Sequence, residues 1–333
     1  MKLALFAALL PTLVAVDALA AVITADVTMR DEHRGKSIEC RVYYPEAGAK
    51  LPLIIFSHGF GGDKTAFAAI SEHVAAHGYV LIHPSHADGF GRSGGQVGGR
   101  RLPGVRRDAD PAEGPPDRPL LRSRRAGGGL VGLLDDPVKI EERVGDVTFL
   151  LDASDKLADT IPVLKDRVDT TRLGVGGHSF GAYTAMLIGG VTVDLGEKTA
   201  RSFADKRVRC ILPISAQGTG QQGLTRGSWD KLQLPMLTMT GSRDQGAAGQ
   251  GPEWKQEPFQ FSPPGDKYLV LIEGANHFSF GGFRGRETDI TRAVQATALA
   301  FWNAYLKEED QARESLQSGS VIQGFRVAKI MAK

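Results

Sequence analysis

Cysteine is nearly absent: Cys40 and Cys210 are the only two in 333 residues. That excludes a disulfide framework and the paired-cysteine patterns of zinc sites, and leaves at most one bridge. Cys40 lies in Ile38-x-Cys40-x-Val42-x-Tyr44, a period-two pattern that turns it to the buried face of a strand. Cys210 lies in the apolar run Val208 to Ile214, so two buried thiols and a single bridge both stay open. Long apolar runs are scarce too. The longest, Leu3 to Val16, falls short of the roughly 20 residues of a membrane-spanning helix. Charge is not one-sided: the chain carries +2, nine arginines against four acids fall between 91 and 130, and the remainder nets −3. No basic surface is left for nucleic acid. There is no HExxH, and no Gly-rich turn follows the first strand, so neither a metal nor a dinucleotide cofactor is expected. His83-Pro84-Ser85-His86 has a ligand-like spacing but too few partners for a metal centre.

What is there is an ordinary globular mixture, 42% hydrophobic and 23% charged, which excludes a disordered or fibrous chain. Lys2, the apolar Leu3 to Val16 and the small-x-small Ala18-Leu19-Ala20 read as an export leader cut after Ala20. The expectation is a soluble, exported protein, periplasmic or extracellular, with residues 21 to 333 as one domain. Within it strands and helices alternate. Residues 23 to 31 and 36 to 46 read as an antiparallel pair, and Leu51 to Ser57 as a buried parallel strand. Lys64 to His77 then has helical spacing, Tyr79 to His83 is a strand, and Val138 to Leu157 a helix. Further strands are expected at Leu173 to Gly176, Val208 to Ile214, Pro235 to Thr240 and Lys267 to Ile272, with helices at Phe180 to Ile188 and Thr288 to Leu306. This alternation predicts an α/β fold: a doubly wound, mostly parallel sheet with helices on both faces and chemistry at the carboxyl ends of the strands. Residues 91 to 130 break the pattern with ten Gly, five Pro and nine Arg but no Lys or aromatic. A lid or surface insertion, a stretch read in the wrong frame, and a polyanion-binding arm all fit that composition.

The chemistry concentrates in Gly177-His178-Ser179-Phe180-Gly181. A serine hydroxyl becomes a nucleophile only when a base takes its proton and the backbone presents it openly, which a sharp strand-to-helix turn between glycines does. Ser179 follows an apolar strand and precedes a helix; the second match, Gly91-Arg92-Ser93-Gly94-Gly95, has neither and reads as loop. Such an elbow expects an acid and then a histidine further along. Only His277 lies beyond Ser179, after the strand Lys267 to Ile272. Asp244, in Gly241-Ser242-Arg243-Asp244, falls at the same sheet edge, whereas Asp266 falls at the opposite end and Glu273 is too near His277 to face its ring. Ser57-His58-Gly59-Phe60-Gly61-Gly62 after the first buried strand suits an oxyanion loop, with the backbone N–H of Phe60 joining that of Phe180. Phe278 and Phe280 would line an apolar acyl pocket or pack in the core.

Together HGFGG, GHSFG, GSRD and the late Asn276-His277 resemble the α/β-hydrolase superfamily, over roughly residues 36 to 90 and 133 to 306. Within it they are most similar to serine esterases related to platelet-activating factor acetylhydrolase, chlorophyllase and the predicted dienelactone hydrolase group. True dienelactone hydrolases use a cysteine nucleophile, and Ser179 departs from that pattern. The segment 91 to 130 departs where relatives carry a loop and helix flanking the active site. The resemblance implies ester hydrolysis by Ser179, Asp244 and His277 through an acyl-enzyme, on a small-molecule or lipid-like ester. A secreted serine peptidase, an acyltransferase and an inactive binding protein share the same fold and stay open.

Overall fold

The computed structural model describes residues 20–89, 129–281 and 287–333. The apolar part of the expected leader, the Ser93 motif and nearly all of the Arg/Gly/Pro-rich segment lie outside the described residues.

Val22–Asp31 (β1) and Lys36–Pro45 (β2) pair antiparallel. Leu51–Ser57 (β3) is buried at every residue and is followed by Ala68–Ala76 (α1) and Val80–Pro84 (β4). The short Leu130–Leu134 (α2), the long Pro137–Asp152 (α3) and Leu157–Thr160 (α4) lead to Val168–His178 (β5), and Phe180–Gly189 (α5) begins one residue later. A two-stranded hairpin, Val193–Leu195 (β6) and Lys198–Arg201 (β7), precedes Val208–Ile214 (β8) and Met236–Arg243 (β9). Glu257–Phe261 (α6), Lys267–Asn276 (β10), Asp289–Leu306 (α7), Asp310–Ser318 (α8) and Ala328–Ala332 (β11) complete the order.

The main sheet runs β1-β2-β4-β3-β5-β8-β9-β10-β11. From β4 to β10 every neighbour is parallel, while β2 and β11 run against them at the two sides. The period-two alternation of β3 explains the layering. Leu53 and Ile55 face one core with Ile140 and Val147 of α3 and Ala185 of α5, while Ile54 and Phe56 face the other with Val74 of α1 and Phe301 of α7. Each such side chain taken from water contributes about 1.5–3 kcal/mol, so both layers hold the central strands in place. Helix starts are marked locally. Asp136 accepts from the Val138 N–H ahead of Pro137, and Thr288 and Thr291 form a capping box for α7.

Some boundaries differ from the sequence reading. Helix α1 starts at Ala68, not Lys64, because Phe67 takes a left-handed conformation (φ 63°) and lays its ring 5.2 Å from that of Phe56. The expected helix Val138 to Leu157 breaks at Ala153. Strand β10 continues past Ile272 to Asn276 through an irregularity beside β9. The β6–β7 hairpin, α8 and β11 were not expected; β11 reads Ala-Lys-Ile-Met-Ala and is carried by its pairing with β10 rather than by an apolar run.

The open question of the cysteines closes here. Cys40 packs in the α3/α5 core and Cys210 in the α1/α7 core, and β4, β3 and β5 stand between their strands. Four strand spacings of roughly 4.8 Å and a change of face put the pair far beyond disulfide reach. Both are free and buried, and burial pushes the Cys40 thiol up to about 12. Alkylation without reductant should therefore label neither thiol in the native protein and both after denaturation, read by intact mass. A denatured sample that gains labels only after reduction would contradict this.

Candidate active site

Strand β5 ends at His178 and α5 begins at Phe180, so Ser179 alone makes the turn, with φ 54° and ψ −117°. A serine at positive φ is strained by about 1–3 kcal/mol and persists only where its surroundings fix it. The Ser179 N–H donates to the Ile214 carbonyl at 2.9 Å, and its own carbonyl accepts from the Tyr183 N–H at 3.1 Å. The flanking glycines supply room rather than torsional freedom. A Cβ on Gly181 would collide with the Ser57 carbonyl at the end of β3, and one on Gly177 with the Gly181 backbone. Side chains at either position would push the elbow off the sheet.

His277 follows β10, with Nε2 3.0 Å from Ser179 Oγ and Nδ1 3.0 Å from Asp244 Oδ1. Asp244 follows β9 and is fully buried. Its Oδ2 accepts from Thr240 Oγ1 and its Oδ1 from Ser215 Oγ, each at 3.0 Å. Ser215 Oγ also lies 2.8 Å from His277 Nδ1. With the proton on Nδ1 directed at Asp244, Nε2 is free to accept from the Ser179 hydroxyl. Burial alone would raise the Asp244 carboxyl, but the His277 hydrogen bond, the buried Lys255 charge and the Ser215 hydroxyl bring it to about 2. Burial depresses His277 below its ordinary 6.5, outweighing the Asp244 hydrogen bond, and Lys255 adds to the depression. His178 is pushed down to about 3 by burial and by His277; its Nε2 donates to the His277 carbonyl at 2.8 Å. The residue before Ser179 thus anchors the backbone of His277.

The HGFGG loop lies against this group. A Cβ on Gly59 would stand 3.4 Å from Ser179 Cβ, so the residue just before Phe60 packs against Ser179. Phe180 is the first residue of α5, where an N–H has no partner within the helix. Its side chain is fully buried, its ring 6.2 Å from that of Phe60 and 4.6 Å beneath the Arg143 guanidinium. Arg143 clamps the loop: it donates to the His58 carbonyl at 2.6 Å, to Ser57 Oγ at 3.2 Å and to both Asp88 oxygens at 2.9 and 3.0 Å. His58 Nδ1 donates to Gly59 O and Nε2 accepts from the His86 N–H at 3.1 Å. His86 bridges Ser57 Oγ and Asp146 Oδ2, both at 2.9 Å, and Lys36 reaches Asp146 at 2.8 Å.

Ser179, His277 and Asp244 are therefore brought together, with Phe60 and Phe180 next to the serine. Phe278 is 57% exposed and stands edge-on to the His277 ring at 5.2 Å. The expectation that Phe280 lines an acyl pocket is corrected: it has no exposure and packs in the α1/α7 core against His178. The two alternative acids stay away. Asp266 precedes the far end of β10, and Glu273 instead accepts from Ser242 at 2.9 Å. His83 donates or accepts at Ser71 Oγ (2.7 Å) in a network separate from that of His86, and among the described residues no group of three or more His, Cys, Asp or Glu is placed to hold a metal. No described helix is long and apolar enough to cross a membrane. Sequence reading missed Ser215, Lys255, Asp88, Arg143 and Asp146. The last two carried a signal: they interrupt the apolar stripe Ile140, Val144, Val147, Leu151 of α3 with buried charge.

The sheet order, the helices on both faces and the strained elbow define the α/β-hydrolase fold. A family model described as platelet-activating factor acetylhydrolase, isoform II, matches residues 23–93. The platelet-activating factor acetylhydrolase of the dog, Canis lupus familiaris, is 25% identical over 249 residues, 71% of this chain and 49% of that protein. The one from Bos taurus is 28% identical over 180 residues, covering 51% and 36%, and a cutinase of Thermobifida alba is 22% identical over 240 residues, covering 72% and 56%. These likenesses support a place among the serine esterases of the α/β-hydrolase superfamily. The chain spans about half the length of the curated relatives it matches, or less.

Two outcomes follow from the buried groups. Arg143→Met leaves Asp88 buried without its partner and should cost about 3–5 kcal/mol in urea unfolding; a loss below about 1 kcal/mol would show that the clamp is not holding charge. Burial holds His83 and His178 at about 3, and burial with the Arg143 charge holds His86 at about 4. The unfolded chain binds those protons near 6.5, so it holds more of them below that pH. Stability should be complete above pH 6.5 and decline as the pH falls toward 4. Urea midpoints at pH 7, 6 and 5 measure this, and a flat profile contradicts it.

Proposed function

We propose that the protein is a carboxylic ester hydrolase that works through an acyl-enzyme. The observation that supports this reading is the unbroken hydrogen-bond chain Ser179–His277–Asp244 at the carboxyl edge of the sheet. In this mechanism Ser179 Oγ attacks the ester carbonyl while His277 Nε2 takes its proton. The negative charge that develops on the carbonyl oxygen is met by the backbone N–H groups of Phe60 and Phe180. His277 gives its proton to the departing alcohol, then activates a water that releases the acid and frees the serine. Asp244 stays ionised throughout, fixing the tautomer and balancing the transient imidazolium.

The substrate read from this site is a small or lipid-like ester, with Phe278 offering an apolar edge beside the histidine. Relatives named for an acetylhydrolase of platelet-activating factor and for a cutinase point to acyl esters in general, and the acyl length is open to an ester series. Export, suggested by the leader pattern in residues 1 to 20, belongs to the same reading.

Ser179→Ala should lower turnover of a p-nitrophenyl ester by about 10⁵ to 10⁶ while the melting temperature changes little, since alanine keeps the Cβ and the backbone turn stays as it is. A fluorophosphonate should label the native enzyme on Ser179 alone, mapped by peptide mass spectrometry; adducts elsewhere, or full activity in the variant, would overturn the assignment. Since His277 must be neutral to accept a proton, kcat/KM should fall toward acid with a midpoint below 6.5. Asp244, at about 2, adds no second limb in the working range.

A further inference from the structure

Lys255 is an unusual residue to find behind a proton relay. It lies in the short turn Trp254–Gln256 ahead of α6, is 2% exposed, and its Nζ donates to the Ser215 carbonyl at 3.1 Å. Burying an ammonium costs several kcal/mol, so an aliphatic side chain would serve better if the position only filled space. Its ring neighbour is Trp254, with Nζ 5.1 Å from the ring centroid. The residue it holds is itself constrained: Ser215, at the end of β8, has φ 53° and donates its N–H to the Met239 carbonyl at 2.7 Å. Its hydroxyl addresses both Asp244 and His277 Nδ1. Two further bonds tie the same segments together, Trp254 Nε1 to the Thr219 carbonyl at 2.8 Å and the Thr219 N–H to Glu257 Oε2 at 2.6 Å. The turn after Asp244 is thereby braced against the loop after β8.

We infer that Lys255 is a positioning residue for the hydrolytic site: by pinning the strained Ser215, whose hydroxyl meets both Asp244 and His277, and by bringing a positive charge to that side of the pair, it keeps the carboxylate ionised and the resting His277 neutral. This rests on the proposed ester hydrolysis. The charge works in one direction on both partners, favouring the anion of Asp244 and opposing the cation of His277. Among the described residues the titratable or charged groups facing His277 are Asp244 after β9, Lys255 ahead of α6 and the neutral His178 at the end of β5. Of these Lys255 is the one whose positive charge opposes a proton on His277; burial lowers the Lys255 ammonium itself, and the Asp244 carboxylate works against that lowering. A base that rests neutral is ready to accept from Ser179 at lower pH, so the lysine extends the active range toward acid.

The test follows the His277 ring nitrogens by NMR in the full-length ¹⁵N-labelled protein, with the signal assigned by its loss in His277→Gln. Lys255→Met should raise the His277 titration midpoint by about half a unit to one unit. Lys255→Gln keeps a donor for the Ser215 carbonyl without the charge; it should give the same rise with less loss of melting temperature, and it serves if the Met variant fails to fold. In ester turnover the acid limb should move up with the NMR midpoint, and kcat should fall roughly tenfold with KM little changed. A His277 midpoint within about 0.1 unit of wild type in the folded variants, whatever the loss of stability or rate, would overturn the proposal and leave Lys255 a packing residue. If the midpoint rises but the wild-type protein cleaves no ester, the proposed hydrolysis fails and the electrostatic assignment stands.

Discussion

Everything at the carboxyl edge of the sheet depends on how closely α5 can approach the end of β3. The backbone of Gly177 and Gly181 lies against the Ser57 carbonyl with no space for a side-chain carbon, and the helix behind them is buried along its whole length. That contact fixes where the turn between strand and helix must fall, and so where Ser179 points. It also fixes the loop that continues from Ser57, because the same strand end delivers His58, Gly59 and Phe60 to the other side of the serine. Backbone packing, rather than any hydrogen bond among the reactive groups, is what makes the arrangement reproducible.

The buried charges are organised in two separate groups around this central contact. On the β3 side, Arg143, Asp88, His86, Asp146 and Lys36 hold the loop that lies against Ser179. On the β8 to β10 side, Ser215, Lys255 and Asp244 hold the histidine. Each group is close to neutral within itself, as buried charge requires. In the proposed mechanism one supports the groups assigned to the developing negative charge, the other those assigned to the proton. Ser179 stands in the turn at the end of the strand between them.

What could be read from sequence follows the range of the interaction that fixes each feature. The elbow is local: an apolar strand, two glycines and a helix within a few residues identify Ser179. Asp244 and His277 are distant, yet legible, because both sit just after buried parallel strands whose carboxyl ends must share one edge. Lys255 was not legible, since only the return of the chain past Asp244 brings it under Ser215. Phe278 and Phe280 were misjudged as a pair for a related reason. A period of two would turn both the same way, but the chain leaves β10 at Asn276, whose side chain accepts from the Phe278 N–H and bonds Ser279, and the resulting turn sends one ring to solvent and the other inward. The antiparallel edge strand β11 was missed because pairing, not composition, holds it.

The separation of Cys40 and Cys210 on opposite faces of the sheet has a bearing on how the molecule reaches its fold. With no covalent cross-link to form, maturation of the described structure calls for no oxidant and no isomerase to sort thiol pairs. Its stability draws on the two apolar layers and the buried ion pairs without a cross-link, and the same structure is available under reducing as under oxidising conditions.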